Sequence, residues 1–282
     1  MPAPGSTSGN IITPDSVRPD FAKDFHFSMM IHAAPKVGKT WCAATASKKY
    51  VNELPLKNRV ALDDVLWISF DEDATIGLYA EGFDVPHNID VFKVQSDCGN
   101  IERAQLVIQR LATEILTANP QIKHVISDTD SGLDLMLSAY ADELDMNGWD
   151  KYRRVLKLHT KNINMGKDLR ARFGISTIRL CHSRASDPED AKQKVVSLAA
   201  RGNSSVAITP ALTGQAGTLY MRDVSQHFAL KKTSDGKVVK RQLITLASEF
   251  FDAGGRFERF LDPIIPAHLQ SMYTSIQSRI IK

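Results

Sequence analysis

The sequence predicts an α/β fold, a mostly parallel central sheet flanked by helices with an antiparallel extension toward the C-terminus. Three observations predict it. Apolar runs of strand length alternate with helix-patterned stretches from about Phe25 to Cys181. The first strand-to-helix junction carries a glycine–lysine–threonine loop of the kind that opens such folds. Past Ser205 the pattern changes to short strand-like runs around a turn signal, Ser234-Asp235-Gly236-Lys237.

Taken in order, Met1 to about Asp20 carries four prolines with several Gly, Ser and Asn, and is expected to be a flexible arm. Phe25 to Ile31 reads as a buried strand, and Lys39 to Tyr50 as the helix after it. Val65 to Phe70 is a second strand ending in Asp71-Glu72-Asp73, and Val91 to Val94 a short one. Asn100 caps a helix whose Ile101, Ala104, Ile108, Leu111 and Ile115 share a face, and Asn119-Pro120 stops it. Ile122 to Ser127 is a strand closed by Asp128-Thr129-Asp130-Ser131. A helical region runs from Trp149 to Phe173 on a stripe of Tyr152, Leu156, His159 and Ile163; Gly166 is a potential break and Gly174 the stop. Ile175 to Cys181 is a strand ending at His182. Ala185 to Ser205 is polar and poorly periodic. Thr218 to Met221, Phe228 to Lys231 and Gln242 to Ala247 read as short strands, and Pro266 to Ile281 as a terminal helix. The expected organisation is an arm over 1–20, one α/β core over 21–265 and a C-terminal helix over 266–282.

The 282 residues suffice for one large core, and the charged and hydrophobic fractions, 24% and 43%, are those of an ordinary globule. No apolar run approaches a membrane span and no secretory signal is evident, so a cytoplasmic protein with no membrane partner is expected. Three scattered cysteines, Cys42, Cys98 and Cys181, read as reduced thiols. A net charge of +3 permits a nucleic-acid partner without requiring one.

The chemistry concentrates at Ala33-Ala34-Pro35-Lys36-Val37-Gly38-Lys39-Thr40, close to the phosphate-loop pattern G-x-x-x-x-G-K-[ST], with Ala33 in place of the first glycine. Ala34, Pro35, Lys36, Val37, Gly38, Lys39, Thr40 and Trp41 form the expected nucleotide cradle. Backbone N–H groups there face phosphate oxygens, Gly38 permits close approach, Lys39 reaches the terminal phosphates, and Thr40 supplies a hydroxyl to Mg²⁺. Asp128, at the end of an apolar strand, is the expected second Mg²⁺ partner, with Asp130 as alternative. Hydrolysis requires a carboxylate to polarise water. Glu72 is the candidate, and Asp71 and Asp73 flank it as alternatives. His182 sits at a strand tip, where ligands of open α/β sheets gather, within reach of a γ-phosphate.

Together these segments, with VISDTDS, CHSRA, ITPALTG and EFFDAGGRFERF, resemble the RecA-type ATPase core, and within it the RecA-like ATPases of bacteriophages linked to single-strand annealing and recombination. The resemblance runs from about Phe25 to Leu269. It implies an ATP- and Mg²⁺-dependent ATPase in which the His182 strand lies between the phosphate-loop and Asp128 strands. It implies Glu72 as water activator, His182 as γ-phosphate sensor, and Ala185 to Ser205 as a DNA-facing loop. It also implies an oligomer, ring or filament, in which Arg256 completes a neighbour's site. Gly254 stands where that pattern has a lysine. Lys192, Lys194 and Arg201 are the basic groups expected to neutralise single-stranded DNA, partly cancelled by Asp187, Glu189 and Asp190. A single-strand-binding or replication protein is a further candidate partner. Two other readings stay open: an ATPase of the same fold acting on a protein, such as a helicase loader or remodeller, and a nucleotide-dependent scaffold without catalysis.

Overall fold

The computed structural model describes residues 26–52, 57–71, 74–185, 208–212, 216–235, 238–247 and 253–280. Its strands are β1 (Ser28–Ala33), β2 (Val60–Ala61), β3 (Val65–Ser69), β4 (Phe83–Asp84), β5 (Asn88–Asp90), β6 (His124–Asp128), β7 (Ser176–Ala185), β8 (Ile208–Pro210), β9 (Gln226–Asp235), β10 (Val238–Ile244), β11 (Gly254–Gly255) and β12 (Ile264–Pro266). The main sheet runs β12-β10-β9-β1-β7-β6-β3-β5, with β8 on β7 and β11 on β9; β2 and β4 pair separately. From β9 to β5 the neighbours are parallel, while β10 and β12 are antiparallel additions. The fold is therefore the expected one, and the His182 strand does lie between the loop strand and the Asp128 strand.

Side-chain alternation decides what each face holds. Met29, Ile31 and Ala33 of β1, Val65 and Trp67 of β3, Ile126 of β6, and Ile178 and Leu180 of β7 point to one face. There they meet helices α1 (Lys39–Ala44) and α2 (Ile76–Ala80), the latter through Leu78, and the terminal helix Leu269–Ile280, which inserts Leu269, Met272, Tyr273 and Ile276. Leu66, Ile68 and Val125 point to the other face, under helices α3 (Val91–Cys98), α4 (Ile101–Ala118), α5 (Asp130–Glu143) and α6 (Gly148–Phe173). Strands buried on both faces read as continuous apolar runs, which is why they were legible.

Several element assignments change. The first helix ends at Ala44 rather than Tyr50: Thr45 Oγ1 donates to the Cys42 carbonyl (2.6 Å) and accepts from Leu269 N (2.8 Å), so Thr45 starts a turn that docks the terminal helix. Val91 to Val94 is helical, because Asp90 caps that stretch by accepting from Lys93 N at 3.1 Å, and the strand precedes it. Helix α5 begins where a closing turn was expected, capped by Thr129 Oγ1 accepting from Gly132 N at 3.0 Å. Thr218 to Met221 lies within the helix Ala216–Asp223, which buries Tyr220 against His159 of α6. The buried stripe of α4 also takes in Ala112 and Leu116, with Leu111 and Ile115 half-buried against the same core, and that of α6 takes in Val155, Leu158 and Leu169 beside His159 and Ile163, with Leu156 half-buried. Helix α6 is unbroken at Gly166, where the Arg179 guanidinium passes within 2.8 Å of the place a Cβ would take. Among the described residues no helix is long and apolar enough to cross a membrane.

The base of β6 carries a buried imidazole. His124 stacks on Tyr273 with ring centroids 5.2 Å apart, and burial pushes its pKa down to about 4. The unfolded chain therefore takes up a proton below about pH 6.5 that the native state refuses, and stability drains as pH falls from 6.5 to 4. The loss is at most on the order of 3 kcal/mol. Urea unfolding at pH 7 and pH 4.5 should show His124→Phe losing less stability over that interval than the wild type.

Candidate functional site

Strand β1 is buried along its whole length between β7 and β9, so the loop that leaves it emerges at the middle of the sheet's C-terminal edge. Ala33 closes the strand opposite His182. It is not among the residues with positive φ, so the first glycine of the loop pattern is dispensable here. Positive φ falls instead on Lys36 (63°) and Gly38 (109°). Ala34, Pro35 and Lys36 are exposed, whereas Lys39 is buried, and Thr40 and Trp41 lie at the partly covered start of α1.

Two strands, β6 and β7, deliver the groups that face this loop. Asp128 shares the side-chain parity of Ile126, and His182 that of Ile178 and Leu180, so all point to the face of the sheet that α1 covers. Thr40 Oγ1 donates to Asp128 Oδ2 at 2.9 Å. Lys39 Nζ donates to the carbonyls of Ala33 (3.3 Å) and Ala34 (3.4 Å) and stands 3.2 Å from His182 Nδ1. An ammonium has no lone pair, so Nδ1 is the acceptor and the His182 proton sits on Nε2. Burial lowers the His182 pKa, the Lys39 charge acts the same way, and Asp71 opposes them. The imidazole is thus neutral and presents an N–H donor.

The charges are arranged for a ligand. Burial lowers the Lys39 pKa, against the pull of Asp128 and Asp71. Burial pushes the Asp128 carboxyl up to about 7; Asp71 adds to the rise, while the Thr40 hydrogen bond and Lys39 oppose it. A buried carboxylate beside a hydroxyl is a hard-oxygen pair suited to Mg²⁺, and a buried ammonium below exposed loop amides suits phosphate. Thr40 and Asp128 would hold the ion, and the 34–41 loop with Lys39 the phosphates. The residues present fit a magnesium-bound nucleotide.

The remaining candidates divide. Asp130 is wholly buried, accepts from Ser127 Oγ (2.7 Å) and pairs with Arg179 (3.4 Å), so it is committed to the core beneath the site. Asp71 accepts from Thr129 Oγ1 at 3.1 Å beside Asp128. Glu72, Asp73, Lys192, Lys194 and Arg201 lie outside the described residues. Arg256 donates its backbone N–H to Ser225 (2.8 Å) and follows β11, which pairs with the first residues of β9. Because β9 runs parallel to β1, Arg256 stands at the sheet edge opposite the phosphate loop of its own chain. At Gly254, φ is 150° and a Cβ would overlap Glu258, which explains the glycine where a lysine was sought. One residue that sequence reasoning missed is Arg241 of β10, whose Nε donates to the Val37 carbonyl at 3.1 Å. The contact spans 204 positions, and nothing in the local pattern VVKRQLI marks it.

No family model and no curated protein matches the chain. Among solved structures it is similar to a KaiC-like protein from the hyperthermophilic archaeon Pyrococcus horikoshii, at 13% identity and a TM-score of 0.36, over 77% of each chain. That likeness is loose, and the α/β assignment stands on strand order and direction.

Asp128 yields a stability prediction. Its native pKa lies above the usual carboxylate value, so the native state holds a proton that the unfolded chain has lost, and the ligand-free protein loses stability as pH rises from about 4 to about 7. In EDTA at pH 8, Asp128→Asn should be more stable than the wild type, by on the order of 2–4 kcal/mol, with little difference at pH 4. Denaturant midpoints at the two pH values check this.

Proposed function

We propose that this chain is a magnesium-dependent ATPase of RecA-like type. The observation that carries the reading is the Thr40–Asp128 hydrogen bond of 2.9 Å beside buried Lys39, at the tip of the central strand. Lys39 and the loop amides hold the phosphates, and Thr40 and Asp128 hold the ion, which neutralises charge that develops on the transferred group. A carboxylate after β3 polarises water: Glu72, with Asp71 next to it near Asp128. Neutral His182 donates from Nε2 toward the γ-phosphate and reports its presence to the chain that follows β7.

At the finer level, the ATPase binds single-stranded DNA through Lys192, Lys194 and Arg201 and promotes annealing or recombination as a homo-oligomer. Arg256 reaches a neighbour's nucleotide. Support comes from the sequence resemblance and from the distance between Arg256 and its own loop. A protein-remodelling reading draws on a different observation, the exposed Leu135 and Trp149, 72% and 70% accessible, on α5 and α6.

Phosphate release from ATP, with and without single-stranded oligonucleotide, is the test. The wild type should hydrolyse ATP and accelerate on DNA, and Lys39→Ala should lose at least about a hundredfold in rate. Charge reversal at Lys192, Lys194 and Arg201 should remove the acceleration and leave the basal rate. No hydrolysis sinks the ATPase reading. Hydrolysis indifferent to DNA and to those reversals sinks the DNA role and favours a protein partner.

A further inference from the structure

Arg241 approaches the phosphate loop from the antiparallel extension. Within the extension, β9 is bonded to β1 through Ile31 opposite Phe228 and His32 opposite Ala229. Strand β10 turns back along β9 with Arg241 opposite Lys232, three positions beyond Ala229. That offset carries Arg241 past the end of β1 to the level of the loop. Its backbone is fixed on both sides: it lies in the β9 ladder, and its carbonyl accepts from Ala267 N at 3.1 Å. From this position Nε donates to the Val37 carbonyl at 3.1 Å. A Cβ on Gly38 would overlap that Nε, so the loop glycine serves two purposes, a φ of 109° and room for the guanidinium.

The geometry of one peptide unit turns this contact into a function. The Val37–Gly38 bond is trans, so its C=O and N–H point in opposite directions. A group that fixes the Val37 carbonyl outward also fixes the Gly38 N–H inward. We propose that Arg241 is a positioning residue for the phosphate loop: by holding the Val37 carbonyl from outside, it presents the Gly38 N–H to the phosphate and ties nucleotide affinity to the β9–β10 extension. The inference rests on the reading of this loop as a phosphate site. Lys39 engages the carbonyls of Ala33 and Ala34, so the two cations grip different stretches of the loop. An amide oriented beforehand binds an anion without the cost of ordering it, and that advantage disappears with the guanidinium.

The test uses the full chain as wild type, Arg241→Ala, Arg241→Lys and Lys39→Ala. ADP with Mg²⁺ is titrated by calorimetry, and the Gly38 amide is observed by ¹⁵N NMR in the nucleotide-free protein. Arg241→Ala should weaken ADP binding about tenfold and shift the Gly38 resonance while the melting temperature holds within a few degrees. Arg241→Lys, which still offers a donor, should recover part of both effects and serves if the alanine variant does not fold. Equal ADP affinity and an unmoved Gly38 resonance in Arg241→Ala, with binding lost in Lys39→Ala, overturn this inference alone. A wild type that binds no nucleotide overturns the phosphate reading and this inference together.

Discussion

Thr40 and Asp128 come from segments 88 positions apart and meet in one hydrogen bond because β7 is inserted between β1 and β6 with all three strands parallel. Parallel strands bring their C-terminal ends to one edge, and alternation then sends Asp128 and His182 toward the face that α1 covers. A register slip of one residue in β6 would turn Asp128 toward α6 and leave Ser127 facing Thr40. The apolar neighbours of Asp128, Ile126 on its own face and Val125 on the other, are what pin that register. The site therefore depends on core packing.

Beneath this edge the opposite face holds a buried polar layer. Arg179 pairs with Asp130 and lies over the Tyr220 ring at 4.8 Å, and His159 bridges Asp134 (2.7 Å) to the Tyr220 hydroxyl (3.0 Å). Such groups are costly unless mutually satisfied; each of these side chains has a partner, although Arg179 Nε is buried without a hydrogen bond. Ser131 closes the layer, accepting from the His182 backbone N–H (2.9 Å) and donating to the Ala211 carbonyl (3.0 Å). The backbone of His182 is thereby held to the start of α5, two residues past the Asp128–Thr129 peptide. Movement of His182 on contact with a phosphate would be felt at Ala211, beside β8.

The central strands, the loop and the carboxylate were legible in the sequence because each has a local signature: apolar runs, a glycine–lysine–threonine triplet, and an aspartate closing a run. Helix α5 has a signature too, Leu133, Met136, Leu137 and Ala141, but Asp128-Thr129-Asp130-Ser131 reads locally as a turn. Only the Thr129 cap, positioned by Asp71 from just past the end of β3, makes those residues a helix start. Thr218 to Met221 is similarly ambiguous in isolation, and burial of Tyr220 against α6 decides for the helix. Arg241 had no local signature, since its role arises where the extension crosses the loop.

The same reasoning explains why the first helix is so short. Six residues give α1 little stability of its own. Its two ends are instead held by distant segments: Arg241 at the Val37–Gly38 turn, and Leu269 N and Gln270 N on Thr45. Both clamps come from the C-terminal part of the chain, after the parallel sheet is complete. The loop and its helix thus take their shape from the extension as much as from β1. A nucleotide that orders the loop would stabilise the packing of β10 and the terminal helix in the same step, because the contacts are shared.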